Sequence, residues 1–380
     1  MVKVLHVIPV GEKGGAEVVV LNILQHLDRS RFTPLVLCLE DGPLVEEIQG
    51  TGTETKVINA GRVRQVVRGG KAIVETVKFI RDRGIDLVHS HNAKAHLYGG
   101  ISAAIAQVPS LYHLHGVPKF TLSRDGIVSL LSVAVPAGRT LACSAYVAET
   151  FRQAWRSRRH VIVTHNGVSV PGSTSDLEPS IRHEFGIPLD APVIVMATRL
   201  QRWKGVHVFL DAAVHVLKSQ PRARLIVIGG TLFGLEESYI AELHKQVERL
   251  ELGTAVLFVG FRSDVFRFYS AADLVVHSSI EPEPFGMVLV EAMACGKAVV
   301  ASNTGGPSEI VEDGVTGLLV PPRDAPQLAQ AILSLLADRN RCVEMGRAGA
   351  ARAKSHFSAQ QMVGQLQGMY EQMLAVKNRR

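Results

Sequence analysis

The chain has 380 residues, 47% of them apolar and 20% charged, with a formal net charge of +6 at pH 7. That length suggests two domains of ordinary size, and the apolar share allows a substantial core and excludes wholesale disorder. The modest positive balance permits attraction to acidic ligands such as phosphates without marking a nucleic-acid protein. Four scattered cysteines, Cys38, Cys143, Cys295 and Cys342, form no CxxC pair, which fits reduced thiols in a cytosolic protein.

The opening "MVKVLHVIPV" lacks the long apolar core of a signal peptide and reads as an immediate β-strand. A glycine loop leads into "AEVVVLNILQHL", which has helical length and spacing. "TPLVLCLE" then reads as a strand and "KAIVETVKFIRDRG" as a helix closing on glycine. "IDLVHSH", "SLYHLHG", "RTLACSA" and "HVIVTHNGV" add strands, with "AHLYGGISAAIAQ" helical between the first two. The alternation pauses at the Pro-, Ser- and Gly-rich "VSVPGSTSDLEPS" and resumes with "APVIVMATR", "RLIVIGG", "AVLFVG", "LVVHSS", "KAVVAS" and "GLLVPP". Strands alternating with helices imply parallel sheets covered on both faces. The expected fold class is therefore α/β, with two tandem doubly wound, Rossmann-like domains, 1–168 and 169–357, facing each other across a cleft. The amphipathic helix 358–380 has no strand after it and is counted with the first domain. No apolar run approaches the ~20 residues of a membrane span, so the expectation is a soluble, cytoplasmic protein.

In open parallel sheets ligands collect at the carboxyl ends of strands, which directs attention to "EPEPFGMVLVE", residues 281–291. Pro284 disfavours a helical conformation at Glu283, so the helix should start near Phe285 or Gly286 and leave its first N–H groups free for an anion. Glu291 lies more than one turn inside, where a carboxylate suits a hydroxyl group and would repel a phosphate. "ATRLQRWKG" adds Arg199 and Lys204 at another strand end, a pair suited to clamping a diphosphate. Together these features suit a nucleotide sugar, although each residue alone would also fit an ordinary surface. Gly14 and Gly15 sit between the first strand and helix, but neither GxGxxG nor a Walker loop is present.

The stretches "ATRLQRWKG" and "SSIEPEPFGMVLVEAMACGKAVVASNTGGPSEIVEDGVTGLLVPP", with "GGAE", "DLVHSHNAKA", "HLHG" and "HNGV" earlier, resemble the family 4 retaining glycosyltransferases of GT-B architecture. The resemblance implies transfer of a hexose-type sugar from a UDP- or GDP-linked donor to a saccharide or lipid-linked acceptor, without a metal or other cofactor. It implies that Arg199 and Lys204 hold the diphosphate and Glu283 the sugar hydroxyls, with the backbone of Phe285, Gly286 and Met287 beside sugar and phosphate. Glu291 would bind the ribose, Gly15 would approach the phosphate, Phe261 and Arg262 would lie near the base, and His115 near the reacting carbon. "IGGTLFGLEES" departs from the family's shorter glycine-rich turn, which leaves the base contacts open.

His89, His91, His113 and His115 form two H-x-H pairs. A metal site is geometrically conceivable, but no Asp or Glu stands beside either pair. The preferred reading packs His89 and His113 in the sheet and points His91 and His115 to the cleft. The basic stretch 151–160, with Arg152, Arg156, Arg158 and Arg159 around Trp155, reads as a solvated face, and 62–71 either adds to such a face or binds an anionic acceptor. Contact with the inner face of an anionic membrane is their alternative. Two other functions share the architecture: a sugar-nucleotide 2-epimerase or hydrolase, and a non-catalytic sugar-nucleotide-binding protein.

Overall fold

A computed structural model describes residues 1–9, 11, 14–61, 65–118, 121, 123–155, 160–169, 178–230 and 237–377. The chain divides into two compact units, one of residues 1–167 with 359–380 and the other of residues 168–358.

The first unit holds β1 (Val2–Ile8), β2 (Phe32–Cys38), β3 (Glu54–Val57), β4 (Leu87–His91), β5 (Ser110–Leu114), β6 (Arg139–Ala142) and β7 (Val161–Val163). They form one parallel sheet in the order β3-β2-β1-β4-β5-β6-β7. The central strands are buried along almost their whole length, as a sheet covered by helices on both faces requires. The edge strand β3, "ETKV", alternates between exposed and half-buried positions. The helix Val66–Arg83 ends at Gly84, whose φ of +58° is the left-handed cap expected there. The helix Ala359–Lys377 packs against Gly15–His26, and its Tyr370 is fully buried in the first unit.

The second unit holds β8 (Val193–Ala197), β9 (Arg224–Ile228), β10 (Val256–Phe258), β11 (Leu274–His277), β12 (Ala298–Ser302) and β13 (Gly317–Val320). They are parallel in the order β10-β9-β8-β11-β12-β13. A core of Val, Leu and Ile from these strands packs against Phe209, Leu243, Ile332 and their neighbours on the covering helices.

Strand order reverses between β1 and β4 in the first sheet and between β8 and β11 in the second. These reversals open crevices at the strand carboxyl ends, because consecutive crossovers leave to opposite faces. The residues singled out from the sequence concentrate there. Residues 170–177 of the linker, 231–236 of "IGGTLFGLEES", Arg62, Arg64, Arg156, Arg158, Arg159 and the side chain of Trp155 lie outside what is described. Among the described residues no helix is long and apolar enough to cross a membrane.

Candidate functional site

In the second unit the site is built from the loops after β8 and β11. Lys204 ends the short turn Arg202–Lys204, and Gly205 follows at φ +71°. A Cβ at Gly205 would stand 1.9 Å from the Ser278 carbonyl oxygen, so only glycine lets the two loops approach. Ser278 Oγ donates to the Gly205 carbonyl at 2.9 Å, and the Ile280 amide to that of Trp203 at 2.8 Å. This stitching delivers the Lys204 ammonium to the Glu283 carboxylate, with which it pairs.

Glu283 is buried, and the same Oε2 that meets Lys204 accepts from Ser279 Oγ at 3.1 Å and lies 3.3 Å from His277 Nε2. Its backbone is extended, bridging Gly305 and accepting from the Gly306 amide at 2.8 Å. Burial pushes the Glu283 carboxyl up, but Lys204 and the His277 bond outweigh it and hold the group well below the usual carboxylate range. Burial pulls Lys204 down, and the pairing with Glu283 offsets only part of that. Glu283 is thus a fixed carboxylate that can accept hydrogen bonds and cannot act as an acid near neutral pH.

The helix Met287–Ala294 begins after Gly286, whose φ of +113° places the turn in a region that a side chain would strain. The helix starts at Met287, one residue past Gly286 and two past Phe285, near which it was expected. Phe285 itself is buried edge-on to Phe357, so its ring belongs to the core. Met287 and Glu291 are half-buried. Burial pushes the Glu291 carboxyl up to about 7, and the Tyr269 hydroxyl, donating at 3.1 Å, draws it partly back. Glu291 therefore does not face open water, and among the described residues no cation pairs with it. It sits in a neutral niche suited to alcohol groups.

Arg199 is exposed, and its guanidinium has no hydrogen-bond or ion-pair partner among the described residues. Its charge is near enough to contribute to lowering Lys204. Phe261 is 69% exposed. Arg262 is committed elsewhere: Nε and Nη2 each donate to Asp264 at 2.8 Å, Nη1 donates to Glu184 at 2.9 Å, and the guanidinium covers the Phe268 ring. Of the two residues expected near the base, Phe261 is the one left free.

In the first unit, Gly15 is exposed and opens the helix Gly15–His26, while the Gly14 amide donates to Glu17 Oε2 at 3.1 Å. His115 is half-buried, its amide donating to Asn92 Oδ1 at 3.0 Å. His91 does not point outward as expected. It is 1% exposed within a stack of five imidazoles on one face of the sheet, where His6 lies beside His89 and His91 beside His113. The links are His6 Nδ1 to His91 Nε2 at 3.2 Å, His91 Nδ1 to His115 Nε2 at 2.9 Å, and His89 Nε2 to His113 Nδ1 at 3.2 Å. His89 Nδ1 also meets the Tyr370 hydroxyl at 2.7 Å. Burial, reinforced by neighbouring imidazoles, holds His89, His91 and His113 far below the usual value, and burial holds His115 down near 3.

The sequence reading missed His6, Tyr269, His277 and Ser279. His6 and His277 each carried a faint signal as a polar residue inside an otherwise apolar strand; Tyr269 and Ser279 carried none.

Comparison with known proteins follows this division. The family described as Glycosyltransferase Family 4 matches residues 13–170, and that described as Glycosyl transferases group 1 matches residues 178–352. A D-inositol 3-phosphate glycosyltransferase of Corynebacterium jeikeium is 29% identical over 391 residues, covering 96% of this chain and 93% of that protein. D-inositol 3-phosphate glycosyltransferase 1 of Catenulispora acidiphila is 30% identical, covering 86% and 82%. The crystal structure of Anabaena HepE in complex with UDP-glucose superposes with a TM-score of 0.86 at 30% identity, covering 98% of this chain and 100% of that one. Sucrose-phosphate synthase from Thermosynechococcus elongatus shares the fold, with a TM-score of 0.81 at 23% identity over 99% and 100% of the two chains.

Proposed function

The chain belongs to the glycosyltransferases, with the family 4 region in its first half and the group 1 region in its second, and on that premise we propose a retaining hexosyltransferase using a UDP-linked sugar. The observation that carries this reading is the arrangement at the second sheet's reversal, where Glu283 is held ionised against Lys204 while Arg199 has no partner among the described residues. A diphosphate needs cationic groups that are fixed before it arrives, because reorganisation during reaction raises the barrier. Arg199 supplies a free charge, Lys204 a positioned one, and the amides opening the helix at Met287 supply donors aligned with its dipole.

Glu283 accepts from the sugar hydroxyls, and its negative charge favours positive charge developing at the anomeric carbon. Glu291 takes the ribose hydroxyls, and Phe261 offers an exposed ring to the base. In this scheme residues 168–358 bind the donor, and the unit formed by 1–167 and 359–380 receives the acceptor. His115 and Gly15 are the residues this reading assigns to the reacting sugar and its phosphate. The leaving phosphate accepts the acceptor's proton on the same face, which retains anomeric configuration. Arg199 and Lys204 do the charge neutralisation that a divalent metal performs elsewhere, so the transfer itself is metal-independent.

Support for UDP comes from HepE, crystallised with UDP-glucose at 30% identity. The acceptor is a saccharide or lipid-linked saccharide, met at the cytoplasmic face of the membrane in building a surface polysaccharide or glycoconjugate. The relatives named D-inositol 3-phosphate glycosyltransferase favour a second acceptor, a phosphorylated cyclitol.

The test is incubation of the purified protein with UDP-glucose and EDTA, offering a panel of saccharides, lipid-linked saccharides and D-inositol 3-phosphate separately. Mass spectrometry reads the adduct and NMR its anomeric configuration. An α-linked product formed in EDTA supports the proposal. An inverted product overturns retention. Uptake of UDP-glucose without transfer to any acceptor would leave a binding protein in its place.

A further inference from the structure

The histidine stack of the first unit has more ring nitrogens than its members satisfy among themselves. Among the described residues, His6 Nε2, His113 Nε2 and His115 Nδ1 are buried without a hydrogen-bond partner. An orphaned buried polar atom forfeits its hydration without recompense, so several in one cluster ask for an explanation. One ring nitrogen from each of His91, His113 and His115 lies within 4.8 Å of those of the other two.

We propose that His91, His113 and His115 form a binding site for a late first-row divalent cation such as Zn2+, with the fourth coordination position left to water. The remaining hydrogen bonds assign the ligand atoms. His91 keeps its Nε2 bond to His6 at 3.2 Å, which frees Nδ1. His113 keeps its Nδ1 bond to His89 at 3.2 Å, and His89 in turn keeps Tyr370 at 2.7 Å, which frees the orphaned Nε2. His115 offers Nε2, while its Nδ1 is left for the equally unpartnered Oδ1 of Asn166, a neighbour that raises the His115 pKa. His91 and His113 thus each have a second partner that fixes ring and tautomer, the arrangement metal-bound imidazoles require, and Asn166 stands beside His115.

Only one contact is given up, the 2.9 Å approach of His91 Nδ1 to His115 Nε2. Bonds of about 2.0–2.1 Å at tetrahedral angles need those nitrogens only a few tenths of an ångström further apart. The second possible triad, His6 with His89 and His91, is poorer because both His89 nitrogens are already engaged. His115 is half-buried and the other two ligands are covered, so the open position and the approach lie on its side. A bound water that deprotonates near neutral pH moderates the cost of placing two charges there.

One consequence rests on the transferase reading. A cation holding His115 Nε2 withdraws that nitrogen from the sugar, so Zn2+ inhibits transfer and a chelator restores it.

Untagged, chelator-treated protein is titrated with Co2+ in the absence of nucleotide sugar, following the visible absorption of tetrahedral Co2+ and its displacement by Zn2+. One equivalent per chain is expected, with affinity weakened at least about tenfold in His113→Gln and less in His6→Gln, which removes only a supporting bond. The far-UV circular dichroism and the unfolding transition of residues 1–167 in both variants serve as the folding control. Absence of the absorption in the wild type, or equal uptake by wild type and His113→Gln, overturns the site. Uptake without inhibition sustains the site and counts instead against the role given to His115.

Discussion

The Lys204 ammonium and the Glu283 carboxylate, 79 positions apart, form an ion pair in which the two side chains are only 12% and 10% exposed. Two groups with separate expected roles, phosphate and sugar, therefore neutralise each other before any ligand binds. Removing one partner of a buried pair leaves the other desolvated and uncompensated, which costs about 3–5 kcal/mol. Lys204→Ala is expected to lower the stability of the second unit by an amount of that order and to weaken donor binding. Denaturant unfolding with a probe in residues 168–358 checks the first, and calorimetry with UDP-glucose the second. Glu283→Gln keeps an acceptor for Lys204 and is expected to retain donor binding while losing turnover. Since the folded Glu283 pKa is depressed, its stabilisation is present above the ordinary value of 4.5 and is lost as pH falls below it. The wild type should thus be the more acid-sensitive of the two proteins.

Glu291 gives the opposite sign. Its carboxyl is raised to about 7, so the stability it contributes is full below 4.5 and declines as pH rises through 7. If ribose hydroxyls bind the ionised form, the available fraction grows about tenfold between pH 6 and 8, one pKa unit being 1.36 kcal/mol. The Kd for UDP-glucose, whose phosphates do not titrate in this range, should tighten by about that factor in the wild type. Glu291→Gln should show no such pH dependence and should be more stable than wild type at pH 8. A flat wild-type profile would remove Glu291 from the binding site.

The alternation of elements was legible because buried parallel strands leave continuous apolar runs, and all six strands of the second sheet could be read this way. β3 escaped because "ETKV" is an edge strand with two charged residues and no continuous apolar run. The acidic pair of "EPEPFGMVLVE" and the cations of "ATRLQRWKG" stood out as charges beside apolar runs. Their mutual pairing did not, because it depends on the sheet bringing β8 next to β11 across 79 positions. His91 was misjudged for a related reason: alternation puts it on the same face as His89, but only strand register shows that His6 and His113 cover that face.

Gly205 tests the geometry that delivers Lys204. Alanine there must adopt a left-handed conformation costing about 1–2 kcal/mol and must also displace the Ser278 carbonyl, 1.9 Å from the new Cβ. Gly205→Ala is expected to destabilise the second unit by at least about 2 kcal/mol and to raise KM for the UDP-sugar by moving the turn. Wild-type Tm and KM in this variant would show that the two loops are not rigidly joined.

Arg199 separates binding from folding. Its guanidinium is exposed and has no partner among the described residues, so Arg199→Ala should shift stability by no more than about 0.5 kcal/mol. A charge-assisted bond to phosphate is worth about 1.5–3 kcal/mol, so the same variant should bind UDP-glucose roughly ten- to a hundredfold more weakly. Uridine, which lacks the diphosphate, should bind wild type and variant alike. Lys204→Ala must differ, because its loss disturbs a buried pair and therefore lowers both stability and affinity. A variant pair in which Arg199→Ala lost stability while Lys204→Ala did not would reverse the assignment of which cation is free for the donor.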